Sequence, residues 1–263
     1  MTTPRLYLPV AVQKGDTCRT TEDQSRYLGC VLRMKEGDFV TVFNGVGSEY
    51  KTVIRRFVED GAELEIVEKR DIPLADLPVT LCQAIPKAEK MDGIIRHATE
   101  LGANRIIPFL SARSIPRWKT SGDKSSSHKL ERWRKIAVEA CRQSGRADIP
   151  DITDILSFQD MLFFLPEEGL KLIPWEEETS LSLRDVFRGQ LSSDYPIASP
   201  FPDTLKTGLK TITLAIGPEG GFSVDEIEQA RRHGFLSVSL GRRVLRVETA
   251  SLAALAVVQY EIN

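Results

Sequence analysis

Histidine and cysteine are scarce in this chain and never clustered. Cys18, Cys30, Cys82 and Cys141 form no Cys-x-x-Cys pair, and His97, His128 and His233 stand apart from one another. No zinc site of ordinary spacing is expected, and scattered thiols suit unpaired cysteines in a reducing compartment. No apolar run approaches the ~18 residues of a membrane span. The stretch Met1 to Val10 lacks the apolar core of a secretory signal, so a cytoplasmic protein with no membrane and no metal partner is the expectation. The Gly-x-Ser-x-Gly nucleophile elbow, His-Glu-x-x-His and Gly-x-x-x-x-Gly-Lys-Ser/Thr are all missing. The paired acids at Glu167-Glu168 and Glu176-Glu177-Glu178 have no recognisable acid/base partner and read as surface. A formal net charge of −2 over 263 residues says nothing of a polyanion until charge is placed locally.

What is present falls into two rhythms. In residues 1–71, Phe39 to Phe43, Tyr50 to Ile54 and Glu63 to Val67 suit strands, and Asn44-Gly45 and Asp60-Gly61 suit hairpin turns. This predicts a small antiparallel barrel. Gly45-Val-Gly47 lacks the third glycine and following helix of a dinucleotide fingerprint, and reads as a hairpin loop. Pro73 and Pro78 mark a linker at 71–78. Beyond it, Val79 to Ile85, Arg105 to Phe109, Met161 to Leu165, Leu170 to Ile173 and Thr211 to Ile216 read as strands. Met91, Ile94, Ile95, Ala98 and Leu101 recur at helical spacing before Gly102. Alternating strands and helices imply an α/β fold with a largely parallel sheet. Residues 116–128 and 188–210 read as long loops. A last helix from about Thr249 to Tyr260 is apolar around most of its girth, which suits burial in the core or against a second subunit.

Positive charge concentrates in residues 111–146. Arg113, Arg117, Lys119, Lys124, Lys129, Arg132, Arg134, Lys135, Arg142 and Arg146 face only Asp123, Glu131 and Glu139. On a helix from about Lys129, Leu130, Trp133, Ile136, Ala137, Ala140 and Cys141 share one side, while Arg132, Lys135, Glu139 and Arg142 share the other. Such a stripe is either a solvated face or a footprint for a phosphate backbone. The basic neighbouring loop, with Trp118 available to stack on a base or fill an apolar gap, favours the second.

Two glycine-marked segments point to a pocket. Leu214-Ala-Ile-Gly-Pro-Glu-Gly-Gly-Phe-Ser223 is a strand, a loop and a helix start, with Ser223 and Glu226 set for a capping box and Gly234 to end the helix. Ser239-Leu-Gly-Arg-Arg-Val-Leu-Arg-Val-Glu-Thr-Ala250 repeats that order. Amides after Gly217 could hold an anion, but Glu219 would repel a phosphate and argues for a ligand with hydroxyls, an amine or positive charge. One such loop could be mere turn geometry. Two, the second with Arg242, Arg243 and Arg246 beside Glu248 and Thr249, suggest a site.

These segments resemble the bacterial 16S ribosomal RNA (uracil-N3)-methyltransferases of the SPOUT class. The resemblance rests on Gly217 to Ser223 and Leu240 to Ala250, and on Lys90-Met91, Ala98 to Gly102, Arg113-Ser114, Arg132-Trp133, Glu139-Ala140 and Gln143 to Arg146. At the front it includes Pro4-Arg5, Val31-Leu-Arg33 and Gly37-Asp38. It implies a PUA-like RNA-binding β-barrel over 1–72. A SPOUT domain follows over 73–263, a parallel sheet whose C-terminal region is threaded as a trefoil knot. It implies S-adenosylmethionine (SAM) as cofactor, a homodimer, and 16S ribosomal RNA as partner, in a small-subunit particle. The methyl acceptor would be N3 of uridine 1498. The implied cofactor residues are Ile173, Pro174, Ile216, Gly217, Glu219, Gly220, Gly221, Leu240, Gly241, Val244, Leu245, Arg246 and Thr249. The implied RNA contacts are Arg33, Lys87, Arg113, Arg132, Lys135, Arg142 and Arg146.

Ring nitrogen N3 of uridine carries a proton that must leave, and negative charge then spreads onto the flanking carbonyls. Arg246 is the candidate to stabilise that charge, with bracing of Glu248 as its alternative role. Glu139, set among cations, is the candidate proton acceptor. N3 lies on the Watson–Crick edge, so the base has to be unpaired or flipped out. Two rival readings are a non-catalytic RNA-binding protein on the same fold and a nucleotide-phosphate enzyme. The intact glycines of both loops oppose the first, and the missing Lys-Ser/Thr pair opposes the second.

Overall fold

A computed structural model describes residues 3–114, 124–189 and 209–263. Arg117, Trp118, Lys119 and Asp123, and most of the 188–210 loop, lie outside the described residues. The chain divides into two compact units. One is Met1–Ala75 with Val138–Ile149, the other Asp76–Ala137 with Pro150–Asn263.

The first unit is a five-stranded sheet of β1 (Arg5–Tyr7), β2 (Thr17–Arg19), β3 (Phe39–Phe43), β4 (Ser48–Val58) and β5 (Gly61–Asp71), with α1 at Glu22–Arg26. Its order is β1-β3-β4-β5-β2. β3, β4 and β5 form an antiparallel meander in which Val58 faces Gly61 across the turn. The expectation of a wholly antiparallel structure is corrected by β1, which runs parallel to β3 with Leu6 opposite Val42. A three-residue edge strand carries too short an alternation to announce its direction. Leu6, Leu28, Val40, Val42, Ile54, Leu64 and Ile66 fill the core.

Val138–Ile149 joins this unit through a second apolar cluster. Cys141 and Ala147 pack on Phe43, with Tyr7, Ile72 and Ile149 around them. The Ile149 amide donates to the Gly45 carbonyl at 2.9 Å, and the Gly47 amide to the Ala147 carbonyl at 3.1 Å. Gly45 has φ +81°, and a Cβ there would lie 2.8 Å from Ile149 Cδ1 and 3.0 Å from Tyr7. The hairpin therefore needs glycine for both backbone and space.

In the second unit β6 (Val79–Ala84), β7 (Arg105–Leu110), β8 (Asp151–Ile152), β9 (Leu156–Ser157), β10 (Leu170–Pro174), β11 (Ile212–Ile216) and β12 (Phe235–Val238) form a seven-stranded sheet. The order is β12-β10-β11-β6-β7-β8, with β9 also on β7, and every pairing is parallel. β6 and β11 are buried at every residue, as strands covered on both faces must be. On one face Cys82, Ala84, Ile107, Phe109, Ile173 and Ala215 pack with α4 (Phe158–Phe164) and α6 (Val224–Arg232), between which α5 (Leu183–Phe187) falls in sequence. On the other, Gln83 meets Ser251 of α7 (Val247–Ile262), which packs on α2 (Lys90–Glu100).

Two expectations are corrected. Met161 to Phe164 is not a strand but the end of α4, and Leu165 is its extended C-cap. The Ser157 hydroxyl caps that helix by accepting the Asp160 amide at 3.0 Å, and Phe158, Met161 and Leu162 are its buried face at helical spacing. The third helix, α3, spans Lys124–Ser144, starting earlier than the apolar spacing indicated, because Lys124 to Ser127 supply no apolar position to count. No helix among the described residues is long and apolar enough to cross a membrane.

Gly45→Ala should destabilise the first unit by about 2 kcal/mol or more, from positive φ and steric overlap together. Urea unfolding that left the midpoint unchanged would show that the hairpin yields more easily than its packing implies.

Candidate active site

Parallel strands release their chains at one edge of a sheet, and ligands bind at that edge. Here the segments that follow β10, β11 and β12 meet the first turns of α2 and α7 around a cleft of about 410 Å³. Its walls include Lys90, Pro174 to Glu176, Ile216 to Glu219, Gly221, Phe222 and Val244 to Val247. An adjoining recess of about 120 Å³ shares Pro174, Trp175, Glu176, Val244 and Leu245 and is closed by Ser239 to Arg243.

Local chemistry fixes each wall. The Trp175 amide donates to the Val238 carbonyl at 3.0 Å, which carries the β10–β12 pairing past Pro174. Gly221 has φ +66°, and a Cβ on it would sit 2.6 Å from a Glu176 carboxylate oxygen. A Cβ on Gly217 would meet the Phe222 ring at 3.1 Å. After the loop, the Ser223–Glu226 capping box starts α6. Glu226 is buried and also accepts from the Ala112 amide at 2.9 Å and the Ser111 hydroxyl at 3.2 Å. That carboxylate anchors the helix start to the segment after β7.

The charged centre of the cleft is Lys90. Its Nζ lies 3.0 Å from Glu219 and 3.2 Å from Glu248. The Lys87 amide donates to both Glu219 oxygens at 3.1 Å. The hydrogen bond to Glu219 raises the Lys90 pKa above its ordinary value, against the cost of partial burial, and Glu248 adds to the rise. For Glu219, burial is the largest single influence and opposes ionisation. Hydrogen bonds from Lys90, its own amide and Lys87 together outweigh it and lower the pKa. Glu248 is lowered chiefly by its own backbone amide, with Lys90 and Arg246 assisting against partial burial.

Of the cofactor residues expected from sequence, Pro174, Ile216, Gly217, Glu219, Gly221, Leu240, Gly241, Val244, Leu245 and Arg246 line the cleft or its recess. Ile173 is wholly buried in the core beneath Pro174. Gly220 turns its carbonyl to the Arg113 guanidinium at 2.9 Å, and Thr249 is exposed on α7 outside the lining. Arg246 is the N-cap of α7 and has no ion-pair partner among the described residues. Sequence reasoning missed Lys90 as a site residue, along with Trp175, Glu176, Phe222 and Ala250. Trp175 and Glu176 directly follow the expected Pro174, and the apolar run before them was the available signal. Nothing local to Lys90 announces partners so distant in sequence.

The expected RNA contacts separate by what holds them. Arg132 is paired with Asp92, and Arg113 with the Gly220 carbonyl. In the first unit Arg142 is paired with Glu139 at 2.6 Å and lies over the Tyr27 ring, and Arg146 is paired with Asp148. Glu139, exposed, therefore belongs to the first unit while the cleft belongs to the second. Arg33, Lys87 and Lys135 are exposed, and their side chains have no partner among the described residues. Among the described residues, no group of three or more His, Cys, Asp or Glu could hold a metal ion.

A family model for an RNA methyltransferase domain matches residues 73–259, and one for an RNA methyltransferase PUA domain matches residues 20–67. Ribosomal RNA small subunit methyltransferase E of Bacillus subtilis is 31% identical over 95% of this chain and 92% of its own length. The protein of that name from Synechocystis is 34% identical over 91% of this chain and 72% of its own. A crystal structure of ribosomal RNA small subunit methyltransferase E from Neisseria gonorrhoeae, bound to S-adenosyl methionine, superposes with a TM-score of 0.82. It is 32% identical, and the match covers 98% of each chain.

The chain belongs to this family of RNA methyltransferases.

The shifted groups of the Lys90 cluster tie the cleft to pH. The lowered values of Glu219 and Glu248 contribute stability that is present above their ordinary value of 4.5 and is lost as pH falls through their folded values. The raised value of Lys90 contributes stability below its ordinary 10.5, lost only as pH rises through its folded value. Lys90→Met should therefore lower the melting temperature most near neutral pH. The gap from wild type should close as both are taken from about pH 7 to about pH 3. A gap of constant size over that range would mean that Lys90 acts by packing rather than by charge.

Proposed function

We propose that this chain is a SAM-dependent methyltransferase that methylates N3 of uridine 1498 in 16S ribosomal RNA, with the small-subunit particle as substrate. The observation that carries the reading is the cleft at the strand ends, walled by two glycine loops whose tight backbone leaves room for a ligand. Its size, apolar Ile216, Leu245 and Val247 walls and main-chain surface suit a nucleoside with an amino-acid tail. The residues that would hold the cofactor are Pro174, Ile216 to Gly221 and Leu240 to Leu245. The bound donor supplies a methyl group already activated for displacement.

The protein's own contribution is alignment and charge. Orienting the acceptor nitrogen on the methyl carbon is worth several powers of ten. Arg246, at the cleft and without an ion-pair partner among the described residues, stabilises negative charge on the carbonyls beside N3. Glu139, the proton acceptor expected from sequence, is paired with Arg142 on the first unit, and its substitution decides whether it takes the N3 proton. Arg33 on the first unit, and Lys87 and Lys135 on the second, supply unpaired cations for phosphates, with Arg113, Arg132, Arg142 and Arg146 as further contacts.

The same reading assigns residues 1–72 to RNA recognition as a PUA-like barrel and 73–263 to catalysis. It threads the C-terminal region as a trefoil knot. The strand order supports this, since β10 lies between β11 and β12 while the segments after all three share one cleft. The exposed Val244, Val257 and Tyr260 support a homodimer in which apolar surface is covered. The setting is the cytoplasm. A crystal structure traced through residues 212–262 tests the knot, and sedimentation tests the dimer.

The deciding experiment is methyl transfer from labelled SAM to unmodified small-subunit RNA and particles, with the nucleoside identified by mass spectrometry. Any product other than N3-methyluridine refutes the assignment. In this assay Arg246→Ala should reduce turnover about 100-fold with little loss of SAM affinity, and unchanged turnover would remove Arg246 from the chemistry. Unaltered turnover in Glu139→Gln would likewise remove the proposed proton acceptor. Lys87→Glu with Lys135→Glu should weaken RNA binding and flatten its salt dependence by about 1–2 units of log–log slope, leaving SAM binding intact.

A further inference from the structure

We infer that Glu176 is the residue that recognises the positive charge of the methyl donor. This deepens the function proposed above and rests on it. Two acidic side chains line the cleft, Glu176 and Glu219. They differ in one decisive respect. Glu219 is satisfied within the protein, by Lys90 Nζ at 3.0 Å and the Lys87 amide at 3.1 Å. Glu176 has neither a hydrogen bond nor an ion pair among the described residues.

The backbone of Glu176 is nevertheless anchored on both sides. On one side Pro174 ends β10 and the Trp175 amide is bonded to the Val238 carbonyl. On the other, buried Glu178 accepts the Ser180 amide at 2.8 Å and pairs with Arg231 at 3.2 Å. Between these fixed points the Glu176 carboxylate lies over Gly221, where any Cβ would approach an oxygen to 2.6 Å. The carboxylate thus lies beside the glycine loop after β11, and the side chain lines both the cleft and its recess.

Glu176 is exposed where it lines the cleft; an unpaired carboxylate there attracts a cation, and charge-assisted contacts are stronger than neutral ones. The donor carries two positive centres, its sulfonium and its α-ammonium. The neutral thioether left after transfer retains only the ammonium. Both centres share the chemistry that Glu176 recognises, and two neutral-shape analogues separate them. S-adenosylhomocysteine lacks the sulfonium charge, and methylthioadenosine lacks both charges.

The test is calorimetric titration of wild type and Glu176→Gln with SAM, S-adenosylhomocysteine and methylthioadenosine, at matched melting temperature. The variant should bind SAM about tenfold more weakly and methylthioadenosine within about twofold of wild type. Loss confined to SAM assigns the sulfonium, and loss shared by S-adenosylhomocysteine assigns the ammonium. Equal loss for all three ligands would mean that Glu176 holds the common nucleoside, and no loss would mean that it holds nothing; either overturns the inference. Wild type that binds none of the three would instead remove the SAM-dependent reading itself.

Discussion

The site depends on one ammonium group held between two carboxylates. Lys90 begins α2, Glu219 lies in the loop after β11, and Glu248 lies in the first turn of α7. Three segments far apart in sequence are thereby fixed at one point on the sheet edge. The pairs are partly exposed, so their worth to global stability is small. Their effect is local, because without Lys90 two like charges would face each other and push the loop away from α7.

Beneath the charged point the framework is rigid for a different reason. β6 and β11 are buried throughout, so their register is fixed by packing on both faces. α7 is keyed to that framework by a polar contact in an apolar setting. The Ser251 hydroxyl lies 2.6 Å from Gln83 Oε1, and both residues are wholly buried. A buried polar pair tolerates little sliding, since any shift would leave a group unsatisfied. Further along α7, Gln259 donates to the Gly102 carbonyl at 3.1 Å. Ser251 lies just over one helical turn from Arg246, so the helix start that carries Arg246 inherits this fixed register.

Much of this could be read from sequence because it is written locally. The Ser223–Glu226 box, the Gly102 and Gly234 stops and the apolar runs of β6, β10 and β11 are short-range signals, and each element lies where its signal stands. The failures have physical causes too. Phe158 to Phe164 carries apolar residues in too short a run for period alone to separate helix from strand, and the cap at Ser157 resolves it. The return of Val138–Ile149 to the first unit depends on Phe43 and Gly45, which no local pattern connects to Cys141 or Ile149. Lys90 was legible only as part of a family motif, because its partners are brought near by the sheet. Glu176 was read as surface for want of a neighbouring partner, and among the described residues it has none.

On the proposed function, the arrangement also favours Arg246 over Lys90 as the cation available for chemistry. Both line the cleft, and both carry a fixed charge near the start of α7. A helix N-terminus presents unsatisfied amides and a partial positive charge, which Glu248 offsets from within the first turn. Lys90 is shared between Glu248 and Glu219, so its charge is more than offset within the protein. Arg246 sits at the N-cap with no ion pair among the described residues, and acts on Glu248 only through its field. A cation placed against the positive end of a helix is poorly satisfied in the absence of an anion. In the proposed reaction it gains a partner when negative charge develops in the cleft, so its interaction energy would be released in the transition state and not in the ground state.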